Sequence, residues 1–235
     1  MHNPIIITGG TQRLGLAIAE SLHKNGHEVV VTYRKVKACH EDLANKGIEL
    51  VQADFSTQQG IDGFIQHIKQ RYPRLRGIIH NASDWAAESG NSDPSELFMR
   101  MMQIHASAPY QLNLAFQSLL IQDDGVTDII HMTDYVQEKG SKKHIAYAAS
   151  KAALHSLTLS FAASLAPKVK VNSIAPALLM FNDHDTEDYK QKALKKSLLE
   201  ICPGAQEAVK AVNFLLDSDY VTGRTIHLDG GRQLK

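Results

Sequence analysis

Pro4-Ile5-Ile6-Ile7-Thr8-Gly9-Gly10-Thr11-Gln12-Arg13-Leu14-Gly15 is the stretch that decides the fold. A β-branched run enters a glycine turn, and an amphipathic tract from Leu14 to Leu22 follows. Glycines at such a turn let the backbone approach a pyrophosphate, and the helix after it offers unpaired N–H groups and the positive end of a dipole. A plain strand-to-helix turn needing positive φ uses glycine as well, so the flanking pattern has to carry the weight. Outward from the turn, short apolar runs alternate with longer amphipathic tracts. Glu28 to Thr32 precedes Val36 to Asn45, and Ile48 to Val51 precedes Gln58 to Tyr72. Gly77 to His80 then leads into Pro94 to Leu120, Thr127 to Thr133 into Ala146 to Leu165, and Val169 to Ile174 follows. Runs such as Val29-Val30-Val31 are apolar at consecutive positions, as strands buried on both faces of a parallel sheet are. The predicted fold class is a doubly wound α/β domain, taking residues 1–235 as one unit.

Composition narrows the function. The 235 residues carry 25 Lys+Arg against 25 Asp+Glu, so no clustered positive charge points to nucleic acid or an anionic membrane. No apolar run approaches the roughly 20 residues of a spanning helix, and the start lacks a basic leader, so a cytoplasmic protein is expected. Cys39 and Cys202 are too few and too far apart for a disulfide framework or a zinc site, and the histidines are scattered, so no metal is expected. The least regular tract runs from Ala175 to Ser197; a segment after a strand's carboxyl end lies near the ligand crevice, and residues 177–198 read as a substrate lid or as a solvated loop.

The end of the second strand reads Val31-Thr32-Tyr33-Arg34-Lys35, without the acid that binds the ribose hydroxyls in NAD sites. Arg34 there can face a 2′-phosphate, with Arg13 reaching it from the glycine turn, which favours NADPH over NADH. The competing account is a solvated basic strand end. Farther on, Tyr147-Ala-Ala-Ser-Lys151 puts a phenol and an ammonium on one helix face, where the lysine is expected to lower the tyrosine pKa.

The chain resembles the short-chain dehydrogenase/reductase family from Ile5 to Val221-Thr-Gly-Arg-Thr-Ile-His-Leu-Asp-Gly-Gly231. The features that carry the resemblance fall in order: the glycine turn, Ala53-Asp54-Phe55-Ser56, Asn81-Ala82, Tyr147 with Lys151, and Asn172-Ser-Ile-Ala-Pro176. It implies a Rossmann-type, mostly parallel sheet of about seven strands, hydride transfer from nicotinamide and a homotetramer. Its implied cofactor contacts are Gly9, Thr11, Arg13, Leu14, Gly15, Tyr33, Arg34, Asp54 and Phe55, then Asn81, Ala82, Tyr147, Lys151 and Pro176. The chain departs from the family pattern at three points. Arg13 replaces the middle glycine, Asp134 stands thirteen residues before Tyr147 where a serine is usual, and His105 stands where the helix asparagine is expected.

Arg13, Asp134 and Asn81-Ala-Ser-Asp-Trp85 together resemble the pteridine reductase branch. That resemblance implies a pterin substrate, foremost 7,8-dihydromonapterin with weaker use of dihydrofolate or dihydrobiopterin. Trp85 is then the stacking aromatic and Ser83 a polar contact, while Asp134, Tyr147 and Lys151 form the reactive group. An aromatic plate suits a flat, electron-poor ring, and a partly desolvated carboxyl with a raised pKa suits proton delivery to an imine. Trp85 as a core residue and Asp134 as a helix or turn cap are the plainer accounts. The other functions to weigh are an NADPH-dependent carbonyl or 3-oxoacyl reductase and a non-catalytic NADPH sensor or scaffold.

Overall fold

The computed structural model describes residues 2–90, 93–122 and 125–235, so the predicted domain start at Met1 lies outside it. Seven strands form one sheet: β1 (Ile5–Ile7), β2 (Val29–Tyr33), β3 (Glu49–Gln52), β4 (Gly77–His80), β5 (Thr127–Met132), β6 (Val169–Pro176) and β7 (Thr225–Leu228). Their order is β3-β2-β1-β4-β5-β6-β7, and every neighbouring pair is parallel, where the sequence predicted a mostly parallel sheet. The order reverses between β1 and β4, which opens a crevice at the carboxyl ends of those strands.

Nine α-helices among the described residues connect and cover the strands: α1 (Arg13–Lys24), α2 (His40–Asn45), α3 (Gln58–Arg71), α4 (Pro94–Met102), α5 (Ala108–Leu120), α6 (Val136–Lys139), α7 (Ile145–Leu165), α8 (Glu187–Leu194) and α9 (Gln206–Asp217). Consecutive apolar residues on each strand serve two layers. Ile6, Val30, Ile78 and Ile129 pack with Phe64 of α3, Phe116 of α5 and Phe161 of α7. Ile5, Ile7, Val31 and Ile130 face the other way, onto Ile18 and Leu22 of α1 and Val212 and Leu215 of α9. Burial of a side chain of this size contributes roughly 1.5–3 kcal/mol, so both layers favour the same strand register.

Two predicted helices come out differently. The tract Val36 to Asn45 is helical only from His40; Val36 is exposed, and Lys35 and Lys37 stay in an open bend. The tract Pro94 to Leu120 is interrupted by a π-turn at Gln103–Ser107. Pro109 lacks an N–H, so the regular ladder fails one turn before it, and a π-turn takes up the irregularity. That turn carries Ile104, His105 and Ala106 inward.

A polar line crosses the α5–β4–β5–α7 layer. His80 Nε2 donates to Asn113 Oδ1 (2.7 Å), Asn113 Nδ2 to His131 Nε2 (3.1 Å), and His131 Nδ1 to Thr158 Oγ1 (2.8 Å), which donates to Leu154 O (3.1 Å). All four side chains are buried, and each has its partner, as buried polar groups must. Burial lowers His80 to about 4 and holds His131 well below the usual histidine value, so both rings are neutral.

Candidate active site

The glycine turn is stitched to the end of β4. Thr8 Oγ1 accepts from Asn81 N and Ala82 N, each at 2.9 Å, and Asn81 Nδ2 donates to Thr8 O (3.1 Å) and Gly9 O (2.9 Å). Gly9 has φ +66°, and a Cβ there would meet Ala82 Cα at 3.0 Å; a Cβ on Gly15 would collide with the Gly9 carbonyl oxygen. The N-terminus of α1 has no side-chain cap, so its first N–H groups point into the crevice without an internal partner.

A cleft of about 510 Å³ opens there. Gly9, Thr11, Arg13, Leu14 and Gly15 line one wall, Tyr33, Arg34, Asp54 and Phe55 the far end, and Asn81, Ala82, Ser83 and Trp85 the opposite side. Lys35 and Lys37, left open by the short α2, also border it beside Arg34. Burial alone would raise the Asp54 carboxyl, but bonds from Ser56 and the nearby Arg34 bring it below its ordinary value. Pro176 is not among the cleft walls; it ends β6, and its carbonyl accepts from Tyr135 N at 3.1 Å.

Arg13, expected to reach a 2′-phosphate, borders the cleft but spends its guanidinium elsewhere. Its φ of +51° is a left-handed conformation that costs an L-residue roughly 1 kcal/mol. From it the guanidinium crosses to the 177–198 tract and donates to Asn182 Oδ1 (2.8 Å), Met180 O (3.2 Å) and Phe181 O (3.4 Å).

Asp134, Tyr147 and Lys151 come together behind Ser83. Tyr147 Oη donates to Asp134 Oδ2 (2.9 Å), while Asp134 Oδ1 accepts from Val136 N (3.0 Å), so this carboxyl caps the start of α6 and binds the phenol at once. Lys151 Nζ donates to Met132 O (2.8 Å). Burial raises the Asp134 carboxyl against the opposing pull of Val136 N–H, Lys151, Tyr147 and Arg232. Burial also pushes the Lys151 ammonium down to about 8. The expectation that lysine would lower the tyrosine pKa is reversed: burial, followed by the Asp134 charge, holds Tyr147 well above its ordinary value, with only the Ser83 hydroxyl opposing. The phenol therefore holds its proton.

His105 links the cleft to this group. Its Nε2 accepts from Asp84 N (3.2 Å) and meets Ser83 Oγ (2.8 Å); its Nδ1 donates to Ser150 Oγ (2.8 Å), which donates to Tyr147 O (2.7 Å). The ring packs edge-on to Tyr147 at 5.3 Å, and burial and Lys151 keep it neutral. Trp85 is 64% exposed, which removes the core account, and its indole lies against His144. Sequence reasoning missed His144, Ser150, Glu88 and Arg232, whose guanidinium covers the Tyr135 ring at 4.2 Å; none belongs to a motif with fixed spacing. No cluster of three His, Cys, Asp or Glu suited to a metal occurs among the described residues.

The sequence profile described as enoyl-(acyl carrier protein) reductase matches residues 10–233. A dihydromonapterin reductase from Citrobacter koseri is 50% identical over 233 residues, covering 99% of this chain and 97% of that one. A dihydromonapterin reductase from Enterobacter sp. strain 638 is 52% identical over 234 residues, covering 99% and 98%. Among solved structures, FolM alternative dihydrofolate reductase 1 from Brucella canis, complexed with NADP, superposes with a TM-score of 0.87 at 26% identity, covering 99% of this chain and 95% of that one.

Proposed function

The chain belongs to the short-chain dehydrogenase/reductase family, and we propose that it reduces 7,8-dihydromonapterin to tetrahydromonapterin with NADPH. The observation that carries this choice is the Tyr147 Oη to Asp134 Oδ2 bond of 2.9 Å, a phenol and a carboxyl joined where ketone chemistry would use a serine. The names of the two enterobacterial relatives and the exposed indole of Trp85 support the substrate.

The residues present fit a dinucleotide, since a cleft of about 510 Å³ runs along the glycine turn and the uncapped α1 N-terminus favours phosphate. Gly9, Thr11, Leu14 and Gly15 would hold the pyrophosphate side, Tyr33, Asp54 and Phe55 the adenine side, and Arg34 with Lys35 and Lys37 the 2′-phosphate. Asn81 and Ala82 would lie at the nicotinamide end, to which the family resemblance adds Lys151 and Pro176, residues that do not line the cleft. When bound, NADPH supplies the hydride for C6 of the pterin. The protein must then deliver a proton to N5. Tyr147 gives its Oη proton to N5 and takes one from Asp134, whose pKa is raised by burial, so no bare phenolate forms beside a carboxylate. Trp85 stacks on the pterin, with Ser83 as a polar contact, and residues 177–198 act as the lid.

No helix among the described residues is long and apolar enough to cross a membrane. A cytoplasmic homotetramer accords with exposed apolar side chains on the outer faces of the long helices, Tyr110 and Leu114 of α5, Leu159 of α7 and Phe214 of α9. The test follows NADPH oxidation with 7,8-dihydromonapterin, dihydrofolate and an acetoacetyl thioester, with NADH as control. Turnover on the pterins with NADPH is expected. Turnover only on the thioester makes it a 3-oxoacyl reductase, and silence on all three makes it a cofactor-binding protein.

A further inference from the structure

The segment carrying Trp85 is tied to the start of α7. Glu88 Oε1 accepts from Ala146 N (2.8 Å), and Glu88 N donates to Lys143 O (3.3 Å). Burial would raise this carboxyl, but the N–H groups of Ala146 and Ile145 and the nearby His144 hold it below its usual value. His144 Nδ1 donates to Ala86 O (3.0 Å), and its ring lies against the indole of Trp85, centroids 4.1 Å apart and planes 30° apart. His144 is itself fixed at both ends, since its N donates to Ser141 Oγ (3.2 Å) and its carbonyl accepts from Ala148 N (3.0 Å).

An exposed tryptophan on a loop has several rotamers open to it. A histidine ring across one face, bonded to the backbone next to that tryptophan, selects among them. Because His144 is the N-cap residue of α7, three positions before Tyr147, the indole plane is then referenced to the helix that bears the proton donor.

We propose that His144 is a positioning residue for the reduction: it sets the plane of Trp85 relative to Tyr147 and so places the substrate ring. This rests on the function proposed above. Trp85 is the single tryptophan of the chain, so its emission reads the stack without any substrate. In His144→Ala, the emission of the folded protein shifts and the KM for 7,8-dihydromonapterin rises about five- to tenfold, the worth of one aromatic contact, while kcat and the KM for NADPH stay within about twofold. His144→Phe, which keeps a ring on the indole, restores both the emission and the low KM. Unchanged emission in His144→Ala overturns the inference. So does an unchanged pterin KM, a parallel fall of kcat and NADPH affinity, or a phenylalanine variant no better than alanine. Wild-type protein inert with every dihydropterin overturns the function and the inference with it, a result distinct from an active enzyme indifferent to residue 144.

Discussion

Lowering the pH should weaken the fold through the buried line from His80 to Thr158. His80 is lowered to about 4 by burial, against 6.5 for an unfolded histidine. Its folded value is depressed, so the unfolded chain binds the extra proton: the stability it confers is full above about pH 6.5 and is lost as pH falls from there toward 4. Between about pH 7.5 and about pH 5.5 the loss through His80 alone comes to about 1.3 kcal/mol, from the two protonation polynomials. His131 and His105, held neutral mainly by burial, add in the same direction, whereas the raised carboxyls Asp128 and Asp134 act oppositely. A comparison of variants separates them. Urea melts of the wild type and of His80→Gln at both pH values should differ by about 1.3 kcal/mol in how much stability acid removes, whatever the offset between the proteins. The same acid loss in both would refute the assignment of a neutral buried ring at position 80.

Tyr147→Phe should lower kcat by about two to four orders of magnitude with little change in the NADPH KM, measured by NADPH oxidation; near-normal turnover removes Tyr147 from proton delivery. Because the relay needs protonated Asp134, kcat should decline as pH rises through the raised pKa of that carboxyl, and Asp134→Asn should be slow at every pH; an Asp134→Asn enzyme with the wild-type profile excludes the relay. Arg34→Ala should weaken NADPH about ten- to a hundredfold in a binding titration while sparing NADH, and equal losses would dismiss the 2′-phosphate contact. Arg13→Ala, freed of its bonds to residues 180–182, should be cut by trypsin several-fold faster at Lys190 to Lys196 than the wild type; equal rates would mean that Arg13 does not hold that tract.

The alternation of strands and helices was legible because consecutive apolar strand residues must serve two layers, and Ile5-Ile6-Ile7 does so. The cleft walls were legible because the glycine turn, Arg34, Asp54 and Asn81 sit at strand ends whose order fixes where they meet. Pair interactions between distant residues were not. Asp134 offered two accounts in sequence, a cap and a reactive group, and its two oxygens accept from Val136 N and from the Tyr147 phenol. The tyrosine pKa went the other way because burial, invisible to the Tyr-x-x-x-Lys spacing, raises it, and the Asp134 charge adds to the rise. His144 and Glu88 take meaning only from a loop that folds back across 58 residues of chain.

The reach of Arg13 to Asn182, 169 positions away in sequence, binds two tenants of the same crevice into one account. The arginine springs from the turn that would receive a phosphate, and it ends on the flap that would cover the other guest. If what occupies the first place alters the hold on the second, thermodynamic linkage makes the influence mutual: a factor by which cofactor changes pterin affinity is the factor by which pterin changes cofactor affinity. A few exposed hydrogen bonds would set the scale of that mutual factor at roughly tenfold, about 1.4 kcal/mol. A single side chain in a left-handed backbone would thereby make the affinity of each ligand depend on the presence of the other.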